Sequence, residues 1–251
     1  MIMKKQYKGL MLDLDGTTIP NRMDSLPSRR VIDAIAKAKK KLHVTIATGR
    51  ALWQAAPILD VLQLSTPIIL LNGALIVDGI SRKLIYDQPL RKEDYKIVTK
   101  MLEKTKLHFT VDEHEETNKY TSNYEPEKPL TIFVWDLVEA QADELIQKLI
   151  HVPTIALYKT VGWKDGTVGL NISHINATKQ HGILEVSRIL GIETHELIGV
   201  GDAPNDFPLL MACGFKVAMG NAIPDLKAIA DYIAPSVDED GVADVIEKFV
   251  L

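Results

Sequence analysis

The chain has 251 residues, 29 basic against 33 acidic side chains for a net charge of −4, and 46% apolar residues. At about 150 residues per domain this is one large or two small folded domains, neither a disordered chain nor a polycation that grips nucleic acid by bulk charge. The single cysteine, Cys213, excludes an internal disulfide and a cysteine-built zinc site, and suits a reducing compartment.

In chain order, the basic start with Lys4 and Lys5 is followed by an apolar run, Gly9–Leu12, too short for a signal peptide, so a cytoplasmic protein is expected. Residues 8–14 read as a buried strand ending in acids. Residues 28–42 read as a helix, with Val31, Ile32, Ile35, Ala38 and Leu42 at helical spacing. Lys39, Lys40 and Lys41 in its last turn read as a solvated helix end. Residues 43–47 form a second strand, 50–64 a helix kinked or split at Pro57, and 67–71 a third strand. The longest apolar stretch, Pro67–Val77, is broken by Asn72 and falls short of the ~20 residues a spanning helix needs, so no membrane partner is expected. The βαβαβ order argues for a parallel sheet flanked by helices.

From about residue 82 to about 171 the apolar runs lie further apart. Strands are expected at 107–111, 130–135, 154–159 and 168–172, helices at 93–104 and 140–150, and a loop or weak hairpin at 112–128. Then α/β character returns: helix 178–190 closed by Gly191, strand 197–200, helix 204–213, strand 216–219, helix 224–230, strand 232–234 and helix 242–250. The fold class is therefore α/β, a doubly wound parallel-sheet core formed by 1–81 and 172–251, with an inserted α+β domain at 82–171.

Four core strands end in polar residues: Asp13-Leu14-Asp15-Gly16-Thr17-Thr18, Thr48-Gly49-Arg50, Asn72-Gly73, and Gly201-Asp202-Ala203-Pro204-Asn205-Asp206. Open α/β sheets bind ligands beyond the carboxyl ends of their strands, so parallel neighbours would bring the four tips into one crevice. Asp13, Asp15, Asp202 and Asp206 would then repel one another unless a cation sits among them. Oxygen-only ligands without His or Cys point to Mg2+. Each Asp also reads singly as a cap or turn residue, Asp202 best of all. Thr48, the glycines at 16, 49, 73 and 201, and Lys179 at the head of a helix suit an anion such as phosphate. No phosphate-binding P-loop is present, and Pro204 interrupts any dinucleotide fingerprint after Gly199-Val200-Gly201.

In this order the motifs resemble those of the haloacid dehalogenase-like phosphatases, and within them the Cof-type hydrolases with a large α+β cap. D-x-D-G-T is Asp13 to Thr17; the strand-end Thr is Thr48 in Ala-Thr-Gly-Arg; the helix-opening lysine is Lys179; G-D-x-x-N-D is Gly201 to Asp206. Asn72-Gly73, Ala218–Ala222 and Asp238–Val242 resemble the Cof subgroup. Gln180 stands where a glycine is common there, Pro204 fills a variable slot, and the insert is short. The resemblance implies phosphoryl transfer through an aspartyl phosphate: Asp13 as nucleophile, Asp15 as acid and base. Mg2+ would be held by Asp13, the Asp15 carbonyl and Asp202, with Asp206 adjoining, and the phosphate by Thr48 and Lys179. Gly49, Arg50, Asn72, Gly73 and Asn205 are further substrate or phosphate contacts. In the cap, Tyr120, Tyr124 and Trp135 are candidates to pack on an organic group. The partner implied is a small phosphorylated metabolite, a sugar phosphate first, without nucleic acid. A phosphomutase using the same aspartates, and a non-catalytic binding protein, are the alternatives.

Overall fold

The computed structural model describes residues 7–22, 24–114, 117–119, 125–162 and 164–251. In chain order it contains β1 (Gly9–Leu12), α1 (Arg29–Ala38), β2 (His43–Ile46), α2 (Leu52–Leu62), β3 (Ile68–Leu70), β4 (Leu75–Val77), β5 (Leu84–Asp87), α3 (Lys92–Leu102), β6 (Phe109–Asp112), β7 (Thr117–Lys119), β8 (Thr131–Leu137), α4 (Glu139–Leu149), β9 (Ile155–Val161) and β10 (Val168–His174). Then follow α5 (Lys179–Leu190), β11 (Leu197–Gly201), α6 (Phe207–Ala212), β12 (Phe215–Ala218), α7 (Pro224–Ala228), β13 (Tyr232–Ile233) and α8 (Gly241–Phe249). The chain divides into two compact units, 1–85 with 178–251, and 86–177; the sequence places the insert at 82–171.

The first unit is built on a parallel sheet in the order β13-β12-β11-β1-β2. The chain starts in the middle at β1, steps outward to β2, and re-enters on the other side of β1 as β11. The two directions of winding part between β1 and β11, the place where such sheets form their binding crevice. β1 and β11 are buried along their whole length, as strands covered on both faces must be, which is why each reads as an unbroken apolar run.

The helices start and stop where their end residues dictate. Ser28 Oγ accepts the Val31 N–H at the start of α1. Thr178 does the same for His181 in α5, and Gly191 in left-handed conformation ends that helix. Gln180 leaves the start of α5 in place. The lysine run is not simply a solvated helix end: α1 stops at Ala38, and Lys39 Nζ donates to the carbonyls of Leu62 and Gln63, capping α2. α2 is one helix through Pro57, not two. The bond Pro57 forgoes is to the carbonyl of Trp53, an exposed residue of the first turn.

The apolar run 67–77 is two strands, β3 and β4, paired antiparallel across a turn at Leu71–Ala74. With β5 they form a small sheet the sequence reading does not anticipate. β3 meets the main sheet at one parallel bridge, Ala47 to Ile69.

The second unit is an antiparallel sheet in the order β7-β6-β8-β10-β9. Alternate residues such as Val111, Ile132, Val134 and Ile172 pack on Val98 and Leu102 of α3 and Leu145 and Leu149 of α4. Within the polar stretch 112–128, β7 pairs with β6 as a short hairpin. Among the described residues no helix is long and apolar enough to cross a membrane.

Candidate active site

Asp13 follows β1 and Asp202 follows β11, so the switch point of the sheet sets two carboxylates side by side. The turn after β1 is tight: the N–H groups of Thr17, Thr18 and Ile19 all reach the Leu14 carbonyl. Gly16 makes it possible. Its φ is +80°, and a Cβ there would lie 2.3 Å from an Asp202 carboxylate oxygen, so no other residue fits. Thr18 Oγ1 donates to the Asp13 carbonyl at 2.6 Å, fixing the backbone that carries Asp13.

Lys179, the first residue of α5, is completely buried. Its ammonium donates to Asp13 Oδ1 at 2.5 Å and Asp206 Oδ1 at 2.6 Å. The other oxygen of Asp206 accepts the N–H groups of Asp202 and Ala203 at 2.9 and 3.0 Å. Asp206 thus folds its own loop back on itself and ties it to Lys179. Asp202 is not the helix cap its position suggests: Oδ1 accepts from Thr17 Oγ1 at 2.8 Å, and Asp206 takes the loop N–H groups instead. Asp13, Asp202 and Asp206 offer carboxylate oxygens all within 4.8 Å of one another.

Fully ionised, the three carboxyls with one ammonium would carry an excess of two negative charges, Asp13 and Asp206 buried and Asp202 half-buried, and the protonated forms are favoured accordingly. Burial, then Asp206, holds the Asp13 carboxyl well above the usual range against the pull of Lys179, with Asp202 adding to the rise. Burial, then Asp206, pushes Asp202 up to about 7. Burial disfavours the Lys179 charge, but Asp13 and Asp206 together outweigh it and raise its pKa.

The other expected residues are placed as follows. Asp15 is not in the three-carboxylate cluster. Its carboxylate is held by the Arg50 guanidinium in a two-pronged contact, Nε to Oδ2 at 2.9 Å and Nη2 to Oδ1 at 2.6 Å. Arg50 also donates to the carbonyls of Gln54 and Arg22, and its side chain is 7% exposed. Thr48 is buried at the tip of β2, its Oγ1 accepting the Arg50 N–H, and its carbonyl accepts the Asn72 N–H. Gly49 adjoins the Asn72 amide. Asn72 Oδ1 accepts from Asn205 Nδ2 at 3.1 Å, joining the third and fourth tips. Gly73, at φ +107°, lets the chain pass so close to α5 that a Cβ would lie 2.2 Å from the Thr178 carbonyl oxygen. Trp135 is half-buried, its Nε1 on Thr110 Oγ1 and its ring edge-on to Phe133. Tyr120 and Tyr124 lie outside the described residues.

One further residue belongs here. Asn221 Nδ2 donates to the Gly16 carbonyl at 2.8 Å and reaches Asp202 Oδ2 at 3.4 Å. The run Ala218–Ala222 marked its neighbourhood, but no pattern in the chain told which residue of the run turns toward the aspartates.

A parallel α/β core that gathers Asp13, Lys179, Asp202 and Asp206 at its switch point defines a class, and the chain belongs to the haloacid dehalogenase-like hydrolase family, which it matches over residues 10–128 and 111–246. Within that family it is a phosphatase of the Cof-type subgroup. A 5-amino-6-(5-phospho-D-ribitylamino)uracil phosphatase of Bacillus subtilis is 27% identical over 271 residues, covering 96% of this chain and 96% of its own. Among solved structures, the subclass IIB sugar phosphatase BT4131 superposes with a TM-score of 0.78 at 25% identity, covering 96% and 98% of the two chains. A haloacid dehalogenase-like hydrolase of B. subtilis gives 0.82 at 22% identity over 96% and 99%, a likeness of fold.

Proposed function

We propose that the protein is a Mg2+-dependent phosphatase of small phosphorylated metabolites, sugar phosphates foremost, working through a phosphorylated Asp13. The observation that carries this is the buried cluster of Asp13, Asp202 and Asp206 with Lys179, and Asp15 two residues from Asp13. The donor set fits Mg2+: it is all oxygen, and its two surplus negative charges match a divalent cation. Asp13, Asp202 and the Asp15 carbonyl would hold the ion. Asp206, with Lys179 on one oxygen and two N–H groups on the other, serves chiefly to shape the loop. When bound, the cation supplies the positive charge that lets a phosphate dianion approach a carboxylate.

The chain's own residues do the rest. An Asp13 oxygen bonds to phosphorus as the bond to the substrate oxygen breaks. Asp15 gives that oxygen its proton, then takes one from the water whose oxygen displaces Asp13 and releases inorganic phosphate. For this Asp15 leaves its contact with Arg50, takes up from solvent the proton it donates, and returns to solvent the one removed from the attacking water as it goes back to Arg50. The third N–H of Lys179, the Thr48 hydroxyl and the Gly49 N–H hold the phosphoryl oxygens and offset their charge in the transition state. Substrate selection falls to the inserted unit 86–177.

The test is intact-mass measurement after mixing Asp15→Asn with an activated aryl phosphate. Asp13 should gain one phosphoryl group and keep it, because the second step lacks its base. Asp13→Asn should gain none. No adduct in either, with equal losses of activity, would leave direct attack by water as the mechanism.

A further inference from the structure

The segment after β12 runs beside the Asp202 loop. The Met219 N–H bonds to the Gly201 carbonyl, and the Ile223 N–H to the Asp202 carbonyl, both at 3.0 Å. Between these anchors Asn221 extends one amide to three loops. Nδ2 donates to the Gly16 carbonyl in the Asp13–Thr18 turn and reaches Asp202 Oδ2; Oδ1 accepts the Val237 N–H at 2.8 Å. With Thr17 on Oδ1, the Asp202 carboxylate has a neutral donor at each oxygen. The Gly16 turn leaves no room for even a Cβ beside that carboxylate, and the Asn221 amide spans the gap between the Asp13 turn and Asp202.

We infer that Asn221 is a positioning residue for the cation site, holding the Asp202 carboxylate and the Gly16 turn at the separation Mg2+ requires. This rests on the metal reading under Proposed function. A donor next to a ligating carboxylate orients it, and loss of such a partner typically weakens metal binding about 10–100-fold.

The two sides of the amide allow a selective test. Asn221→Asp keeps an oxygen to accept the Val237 N–H but turns the donating side into an acceptor facing two other oxygens. Asn221→Ala loses both sides. MgCl2 is titrated calorimetrically into each purified full-length protein, at a temperature where circular dichroism shows all of them folded, and melting is recorded in EDTA. Both variants should bind Mg2+ at least about tenfold more weakly than the unaltered protein. Asn221→Asp sets a carboxylate oxygen against two acceptors, so in EDTA it should melt below the unaltered protein while staying folded at the titration temperature. Affinity in Asn221→Asp equal to or tighter than that of the unaltered protein, with weakening confined to Asn221→Ala, would overturn the inference and leave Asn221 as a tether for the Val237 segment. Failure of the unaltered protein to bind Mg2+ at all would overturn the metal reading itself, a result distinct from the first.

Discussion

Replacing Lys179 by methionine removes the one cation from the cluster while keeping most of the stem that fills the space. The ammonium lies 2.5 and 2.6 Å from its two carboxylate oxygens. At an effective dielectric of about 20 each contact is roughly 6 kcal/mol of gross attraction, most of which offsets the cost of taking three ions out of water. What remains measurable is the penalty of stranding the carboxylates, about 3–5 kcal/mol when one partner of a buried pair is lost. The sign with pH follows from the carboxylates. Without Lys179 the folded-state pKa of Asp13 rises further above its unfolded value, so this group's stability is present below the ordinary carboxylate pKa of about 4 and is lost as pH rises through the folded value. Urea unfolding in EDTA should therefore show a loss of about 3–5 kcal/mol near pH 8 and a much smaller one near pH 5, with the slope m unchanged. Equal losses at both pH values, or one below about 1 kcal/mol at the higher, would refute the claim that Lys179 is electrostatically required.

The raised Asp13 and the Asp202 pKa of about 7 make the metal-free protein lose stability as pH climbs from the ordinary carboxylate range to neutrality. The rise in Tm produced by Mg2+ should grow over the same interval, since the ion needs unprotonated carboxylates; thermal melts with MgCl2 and with EDTA at stepped pH check this, and a flat increment counts against it. Gly73→Ala forces a Cβ against the Thr178 carbonyl at φ +107°, so it should cost roughly 2–3 kcal/mol and lower kcat by shifting Lys179. Gly166→Ala, at φ +74° with nothing within 4 Å, should cost about 1 kcal/mol and leave kcat alone.

The sheet and the four polar tips were legible because each strand tip keeps its chemistry within two to six consecutive residues. Patterns of that length survive in one dimension. What pairs across the tips does not. Arg50 reads as a substrate contact; in the structure its guanidinium also holds Asp15, 35 residues away, and nothing in Ala-Thr-Gly-Arg says which way a long side chain turns. Asn72 and Asn205 likewise read as ligand contacts and are found hydrogen-bonded to each other. The strands β3 and β4 merged into one apolar run because both are buried on both faces, so no polar alternation marks the reversal. Its signal is Asn72-Gly73 itself, where Leu71, Asn72 and Gly73 all adopt positive φ.

The pairing of β1 with β11 also governs how the molecule comes into being on the ribosome. Thr17 meets Asp202 across 185 residues of chain. At a synthesis rate of about 5–20 residues per second, β1 waits roughly 10–40 s for the strand that completes its sheet. Throughout that interval the nascent chain presents β1 with one edge bare, beside β2 alone. The stretch 86–177 is under no such delay. Its strands β6 to β10 all find partners within the same stretch, so they can finish pairing while β1 still waits for β11.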